Sequence, residues 1–347
     1  MPDNAAGIRY PFPDPPEAGQ AITVAEGVLW MRLPLPMALD HVNVYALDDG
    51  DSWTIIDTGF ASKRSRAIWA DLLAGPLAGK PVGRVIVTHH HPDHVGLAGW
   101  FIANGAALFM PRVPWLMARM LTLDPHDVPT QETLQFYRRA GMDADEYAAR
   151  KTERPFNFAD CVTPLPLGFN RLSEGDTISI AGRRWDIRMG NGHAPEHATF
   201  WSRDDNLVIG GDQLLPSISA NLGVYATEPE ADPVAEWLEA SERFMPFARD
   251  NQLVLGGHKL PFTGLPLRLS QMVENHHGAL ERLEKYLTEP RSAGQCFAPL
   301  FKRAIGRGEY GLALVEALAH VNHLHKTGRA TRTLGDDGAY YFQAVAG

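Results

Sequence analysis

Residues 88–94 read Thr-His-His-His-Pro-Asp-His, which puts four imidazoles and one carboxylate, those of His89, His90, His91, Asp93 and His94, within six positions. Neutral imidazole nitrogens and carboxylate oxygens are the donors that zinc and similar divalent ions take. One site cannot use them all. His89 and His91 alternate, so both can face one ion, while Asp93 and His94 lie further along the turn and can face a second. His90, between two of these, should point away. One local design recurs elsewhere: an apolar strand ends in glycine or a polar residue and then delivers a ligand-type side chain. Residues 207–211 (Leu-Val-Ile-Gly-Gly) lead to Asp212, and residues 253–257 (Leu-Val-Leu-Gly-Gly) lead to His258. Residues 185–189 run through Gly190-Asn191-Gly192 to His193, and residues 54–56 run to Asp57. Ligands at the carboxyl ends of several core strands are what one shared site on a sheet edge requires.

The elements that must position these side chains are legible in outline. Short β-rich segments at 22–33, 41–47 and 53–56 precede a helical stretch at 62–77, then strand, helix and strand patterns at 84–88, 94–104 and 107–110. This alternation predicts an α/β core. Residues 111–158 turn helix-prone and Met-containing, which suggests a helical insertion serving as a lid or a dimer interface. Strands resume at 177–180, 184–189, 199–202 and 206–209, and a helix at 233–247 precedes a last core strand at 252–255. Beyond Gly264 an amphipathic helix spans 267–287. A second carries Leu314, Leu318, Val321 and Leu324 on one stripe. Residues 329–334 and 339–345 flank Gly335-Asp336-Asp337-Gly338 as a hairpin. The implied division is an N-terminal extension over 1–20, a catalytic domain over 21–264 and a small winged-helix-like domain over 265–347.

Composition narrows the function classes. With 347 residues, 45% of them hydrophobic and 21% charged, the chain is of ordinary globular composition. The formal charge of -9 disfavours nucleic acid and anionic membrane surfaces as partners and leaves a small-molecule substrate, with a homodimer as an option. No apolar run approaches the ~20 residues that cross a bilayer, and residues 1–20 lack the pattern of a secretory signal, so a cytoplasmic protein is expected. Cys161 and Cys296 form no CxxC and read as buried small side chains rather than a disulfide or a thiolate site.

The ordered set His89-x-His91-x-Asp93-His94, His193, Asp212 and His258 resembles the ligand set of the metallo-β-lactamase-fold hydrolases, glyoxalase II-like and lactamase-B-like enzymes among them. The resemblance covers roughly 21–264, and the tail resembles the winged-helix extension of some members. It implies an αββα four-layer sandwich with two divalent metal ions at one edge, zinc by preference, with iron or manganese as alternatives. By this resemblance His89, His91 and His193 would hold the first ion, Asp93, His94 and His258 the second, and Asp212 would bridge them. Asp57 would be the acid that supports a ligand, and His197 a hydrogen-bonding support that binds no metal. Glu196 stands where many relatives have glycine. The implied activity is hydrolysis of an ester-type bond (thioester, lactone or carboxylic ester), with Asp93 and Asp212 as the catalytic carboxylates. Two alternatives stay open, a phosphodiesterase or ribonuclease of the same fold and an iron-dependent sulfur dioxygenase-like enzyme.

Overall fold

The computed structural model describes residues 7–37, 39–301 and 303–345. Residues 1–6 of the N-terminal extension and residues 302, 346 and 347 of the C-terminal segment lie outside the described residues. The chain runs β1 (Ile22–Ala25), β2 (Val28–Pro34), β3 (His41–Asp48), β4 (Trp53–Ile56), α1 (Lys63–Ala74), β5 (Val82–Ile86), α2 (Pro92–Val95), α3 (Ala98–Ala103), β6 (Ala107–Pro111) and α4 (Arg112–Leu123). It continues with α5 (Gln131–Arg139), α6 (Ala144–Arg150), β7 (Asn170–Leu172), β8 (Thr177–Ile180), β9 (Arg183–Gly190), β10 (His197–Ser202), β11 (Leu207–Gly211) and α7 (Pro233–Phe244). The last elements are β12 (Leu253–Gly256), α8 (Leu265–Tyr286), α9 (Phe297–Phe301), α10 (Tyr310–Lys326), β13 (Ala330–Leu334) and β14 (Tyr340–Ala344).

These elements group into two units, one of Met1–Pro125, Asn157–Ala220 and Met245–Leu269, the other of His126–Phe156, Asn221–Phe244 and Ser270–Gly347. The first unit contains two sheets. One has seven strands in sequence order, β1 to β4 antiparallel and β4 to β7 parallel. The other has five in the order β12-β11-β10-β9-β8, with only β11 and β12 parallel.

The two-residue period of a strand explains how the layers separate. On β4, Ile55 enters one apolar cluster and Ile56 the other, and Val85 and Ile86 of β5 divide in the same way. The cluster of Trp30, Ile56 and Ile86 also holds Trp185, Ile187, Phe200, Ile209 and Leu255 of the second sheet, so it fills the space between the sheets. The cluster of Met31, Ile55 and Val85 takes Ile68, Trp69 and Leu72 of α1 and Phe101 of α3, so helices cover the outer face of the first sheet. Burying each such side chain is worth about 1.5 to 3 kcal/mol.

Two local departures from the sequence pattern have physical causes. Residues 94–104 form two short helices rather than one, because tertiary partners take the backbone groups at the break. Gly96 O accepts from Thr163 N at 2.7 Å and Thr163 Oγ1 at 2.8 Å, and Leu97 N donates to Gly59 O at 3.1 Å and Thr58 Oγ1 at 3.0 Å. The three-residue strand β7 carries no alternation of its own and is defined by pairing with Phe109–Pro111 of β6.

In the second unit the expected stripe of α10 is buried, with Leu314, Leu318, Val321 and Leu324 accompanied by Leu280, Leu283, Trp237, Phe244 and Phe342. β13 and β14 pair antiparallel from Ala330↔Ala344 to Leu334↔Tyr340 around the Gly335–Gly338 turn. The stretch 111–158 is shared, α4 lying in the first unit and α5 and α6 in the second. There Gly294 N donates to Ala140 O at 3.1 Å and Asp143 N donates to the Tyr310 hydroxyl at 2.8 Å. Cys161 and Cys296 are free and buried. Among the described residues no helix is long and apolar enough to cross a membrane.

Glu316 of α10 accepts from Asn221 Nδ2 at 2.7 Å, and burial pushes its carboxyl up to about 7. A folded pKa above the unfolded value of about 4.3 contributes stability that is complete below that pH and lost as the pH rises through about 7. Urea unfolding of E316Q and the parent between about pH 5 and 8 is expected to show the variant gaining ~2 kcal/mol on the parent as pH rises. A difference that stays constant over that range would contradict the assignment.

Candidate metal centre

Asp57 follows β4 in the left-handed region, at φ 59°. Its carboxylate accepts from Thr88 N at 2.8 Å and Thr88 Oγ1 at 2.9 Å, and it lies 2.8 Å from His94 Nδ1. These bonds fix tautomers in sequence. A carboxylate oxygen only accepts, so His94 carries its proton on Nδ1, and Nε2 faces the centre. The Thr88 hydroxyl spends its proton on Asp57 and so accepts from His89 Nδ1 at 2.9 Å, which leaves His89 Nε2 bare. His258 Nδ1 donates to His41 O at 2.8 Å, and its Nε2 points to Asp212 Oδ2 at 3.2 Å.

The bare atoms converge in three overlapping groups, His89 with His91 and His193, Asp93 with His94 and His258, and His89 with His94 and Asp212, the ligand atoms of each group within 4.8 Å of one another. His91 Nδ1 lies 3.1 Å from His89 Nε2 and 2.9 Å from His193 Nε2. Asp93 Oδ2 is 3.5 Å from His94 Nε2 and 3.4 Å from His258 Nε2. Asp212 stands between the groups, with Oδ1 3.3 Å from His94 Nε2 and Oδ2 3.4 Å from His193 Nε2. His94 Nε2 and Asp212 Oδ1 are buried and make no hydrogen bond. An unsatisfied buried polar atom costs about 1 to 3 kcal/mol, and a divalent cation relieves both at once. The donor set therefore fits divalent ions held by nitrogen and oxygen.

The electrostatics point the same way. Burial, reinforced by neighbouring imidazoles, drives His89 and His91 well below the usual histidine range, which keeps them neutral as ligands must be. For His94 burial acts downward too, but Asp212, Asp93 and Asp57 outweigh it and raise it well above that range. His258, also opposed by burial, is carried up to about 10 by Asp212 and Asp93. Burial would raise Asp212, yet His258 and His94 pull it well below the carboxylate range. The carboxylates thus demand positive charge, which protons on His94 and His258 supply when no metal does.

The other residues singled out in the sequence are close by. His197 lies outside all three ligand groups; burial takes it down to about 3, and its neutral Nε2 accepts from Asp212 N at 3.0 Å. His90 also lies outside them and stacks on Phe158 at 6.3 Å between ring centroids. Gly257 must be glycine, because a Cβ there would run into the Asp212 carboxylate and come within 2.8 Å of His94 Cε1. Sequence reasoning missed a clamp on β3. Asn43 Nδ2 donates to Gly256 O and to Lys259 O, each at 2.9 Å, and Tyr45 OH donates to Gly256 O at 2.8 Å. His41 Nε2 accepts from Lys259 N at 2.9 Å. The available signal was His-x-Asn-x-Tyr along a strand whose intervening residues, Val42 and Val44, face the apolar core.

Two sheets that hand imidazoles and carboxylates to one edge define a metal-dependent hydrolase of the metallo-β-lactamase fold. The metallo-beta-lactamase superfamily matches residues 37–265, and the metallo-beta-lactamase-like C-terminal domain matches residues 280–345. The chain belongs to the metallo-beta-lactamase superfamily. It is similar to a Burkholderia ambifaria beta-lactamase domain protein of known structure, at 36% identity over 97% of each chain with a TM-score of 0.87. It is also similar to the probable metallo-hydrolase YqjP of Bacillus subtilis, at 26% identity over 92% of this chain and 98% of that protein. A third relative is the hydroxyacylglutathione hydrolase of Xylella fastidiosa, 27% identical over 53% of this chain and about half, 50%, of that enzyme.

With His258 held up at about 10, a metal entering at neutral pH must displace a proton. Calorimetric titration of the metal-free protein with zinc in buffers of different ionisation enthalpy is expected to show release of at least about one proton per chain. Affinity should rise roughly tenfold per pH unit for each proton released. Proton-neutral, pH-independent binding would contradict this electrostatic picture.

Proposed function

We propose that the chain hydrolyses an ester-type bond, thioester by preference, in a small-molecule substrate, using two zinc-type ions. The observation that carries this reading is Asp212, whose carboxylate reaches both outer ligand groups, with Oδ2 3.4 Å from His193 Nε2 of one, and Oδ1 3.3 Å from His94 Nε2 and Oδ2 3.2 Å from His258 Nε2 of the other. Such a carboxylate suits two adjacent cations rather than one. His89, His91 and His193 would hold the first ion and Asp93, His94 and His258 the second, with Asp212 placed within reach of both groups. Ions so held would supply Lewis acidity and lower the pKa of water toward ~7, the chemistry that hydrolysis without a protein nucleophile needs.

The chain's own residues do the rest. Asp57 and the His41 carbonyl orient His94 and His258 so that their Nε2 atoms face the reacting region. Asp93, partly exposed where the other carboxylates are buried, is held ionised by His94 and His258 and is placed to take a proton from water and relay it to the leaving group. The preference for a thioester is supported by the relative named hydroxyacylglutathione hydrolase, since an acylglutathione is a thioester. The charge of -9 weighs against a polyanionic substrate.

The test is a panel of thioester, lactone and phosphodiester substrates, run on the parent and on D212A with metal content measured in parallel. The parent is expected to turn over a thioester or lactone, and D212A to lose at least about a hundredfold in rate together with most of its metal. Full activity in metal-free D212A would refute the scheme, and turnover of the phosphodiester alone would refute the substrate class.

A further inference from the structure

We infer that Glu196 is a latch that ties helix α4 to the His193 loop, so that metal loading and the placement of α4 are coupled. The inference rests on the reading of His193 as a metal ligand. Helix α4 starts without a cap of its own. Its N-cap residue is Pro111, which offers no side-chain oxygen, and its first turn contains no acidic residue. The first amides of a helix have no partner within it and attract negative charge. Glu196 Oε2 accepts from Val113 N at 2.9 Å and so supplies the missing anionic cap from a distant part of the chain.

The position of Glu196 makes this more than a helix cap. Glu196 is the third residue after His193, and it precedes His197, where β10 begins and pairs with Gly190 of β9. Its amide donates to Asn191 Oδ1 at 2.9 Å, which closes the loop that carries His193. Val113 follows β6 of the first sheet, whereas β10 belongs to the second, so the Glu196–Val113 bond joins the two sheets at the edge where the ligands gather, alongside Ala198 N donating to Thr88 O at 2.9 Å. Glu196 also sits at φ 47°, a conformation that suits glycine and strains a residue with a side chain. Glutamate there gives up backbone ease, and the bond to Val113 is what its side chain gains in return. Along α4, Leu116, Met120 and Leu123 are exposed at i, i+4 and i+7, so the latch also sets the position of an apolar surface on that helix.

Native-state hydrogen exchange of the Val113 segment, in the metal-free and zinc-loaded full-length protein, tests the coupling in E196A, E196G and E196Q. Glycine keeps the loop conformation and removes only the side chain, while glutamine keeps an acceptor oxygen. In the metal-free state, exchange at Val113 is expected to rise about tenfold in E196A and E196G and to stay within about threefold of the parent in E196Q. Zinc is expected to slow exchange at Val113 in the parent and E196Q but not in E196A or E196G. By reciprocity, zinc affinity should fall several-fold in those two variants. Parent-like protection and zinc response in E196G would overturn the latch while leaving the metal centre standing. Failure of the parent to take up zinc would overturn the metal reading, and the latch with it.

Discussion

Three carboxylates, those of Asp57, Asp93 and Asp212, are held among imidazoles at a largely buried sheet edge, and this concentration of negative charge governs the surrounding structure. Buried carboxylates are tolerated only when paired or when they coordinate a cation. Here the pairing is incomplete, since Asp212 Oδ1 and His94 Nε2 are left without hydrogen bonds. The site favours a positive charge that the polypeptide alone supplies only by protonating His94 and His258.

Everything around that constraint holds donor atoms in one orientation. The parallel strands β4 and β5 end side by side, which lets Asp57 reach across to Thr88 and through it fix His89. In the second sheet β11 and β12 end together and present Asp212 and His258, and β3 braces the latter through Asn43, Tyr45 and the His41 carbonyl. Support of this kind orients metal ligands and sets their basicity, and its loss typically costs about ten- to a hundredfold in affinity or activity. The side chains that do no chemistry thus determine whether those that do can work.

What the sequence disclosed follows from how local each signal is. His89, His91, Asp93 and His94 lie in one heptapeptide, and Asp212 and His258 each follow an apolar strand closed by two glycines, so their gathering at one edge is legible without coordinates. The stripe of α10 and the hairpin of β13 and β14 are equally local and form where periodicity places them. The clamp from His41, Asn43 and Tyr45 was hidden because its partners at Gly256–Lys259 lie more than two hundred positions away. The break between α2 and α3 was hidden for the same reason, since Thr58, Gly59 and Thr163 impose it from outside the segment. Glu196 was conspicuous as a departure from glycine, but Val113, the partner that gives it a purpose, lies 83 positions earlier.

The central claim is that one buried edge holds two cations in a shared carboxylate and imidazole cage. Diffraction at the zinc absorption edge, from crystals of the full-length protein grown with excess zinc, addresses it directly. Two anomalous peaks per chain are expected, one bounded by His89, His91 and His193 and the other by Asp93, His94 and His258, with Asp212 reaching both. A single peak, or none beside an intact cage, would contradict it.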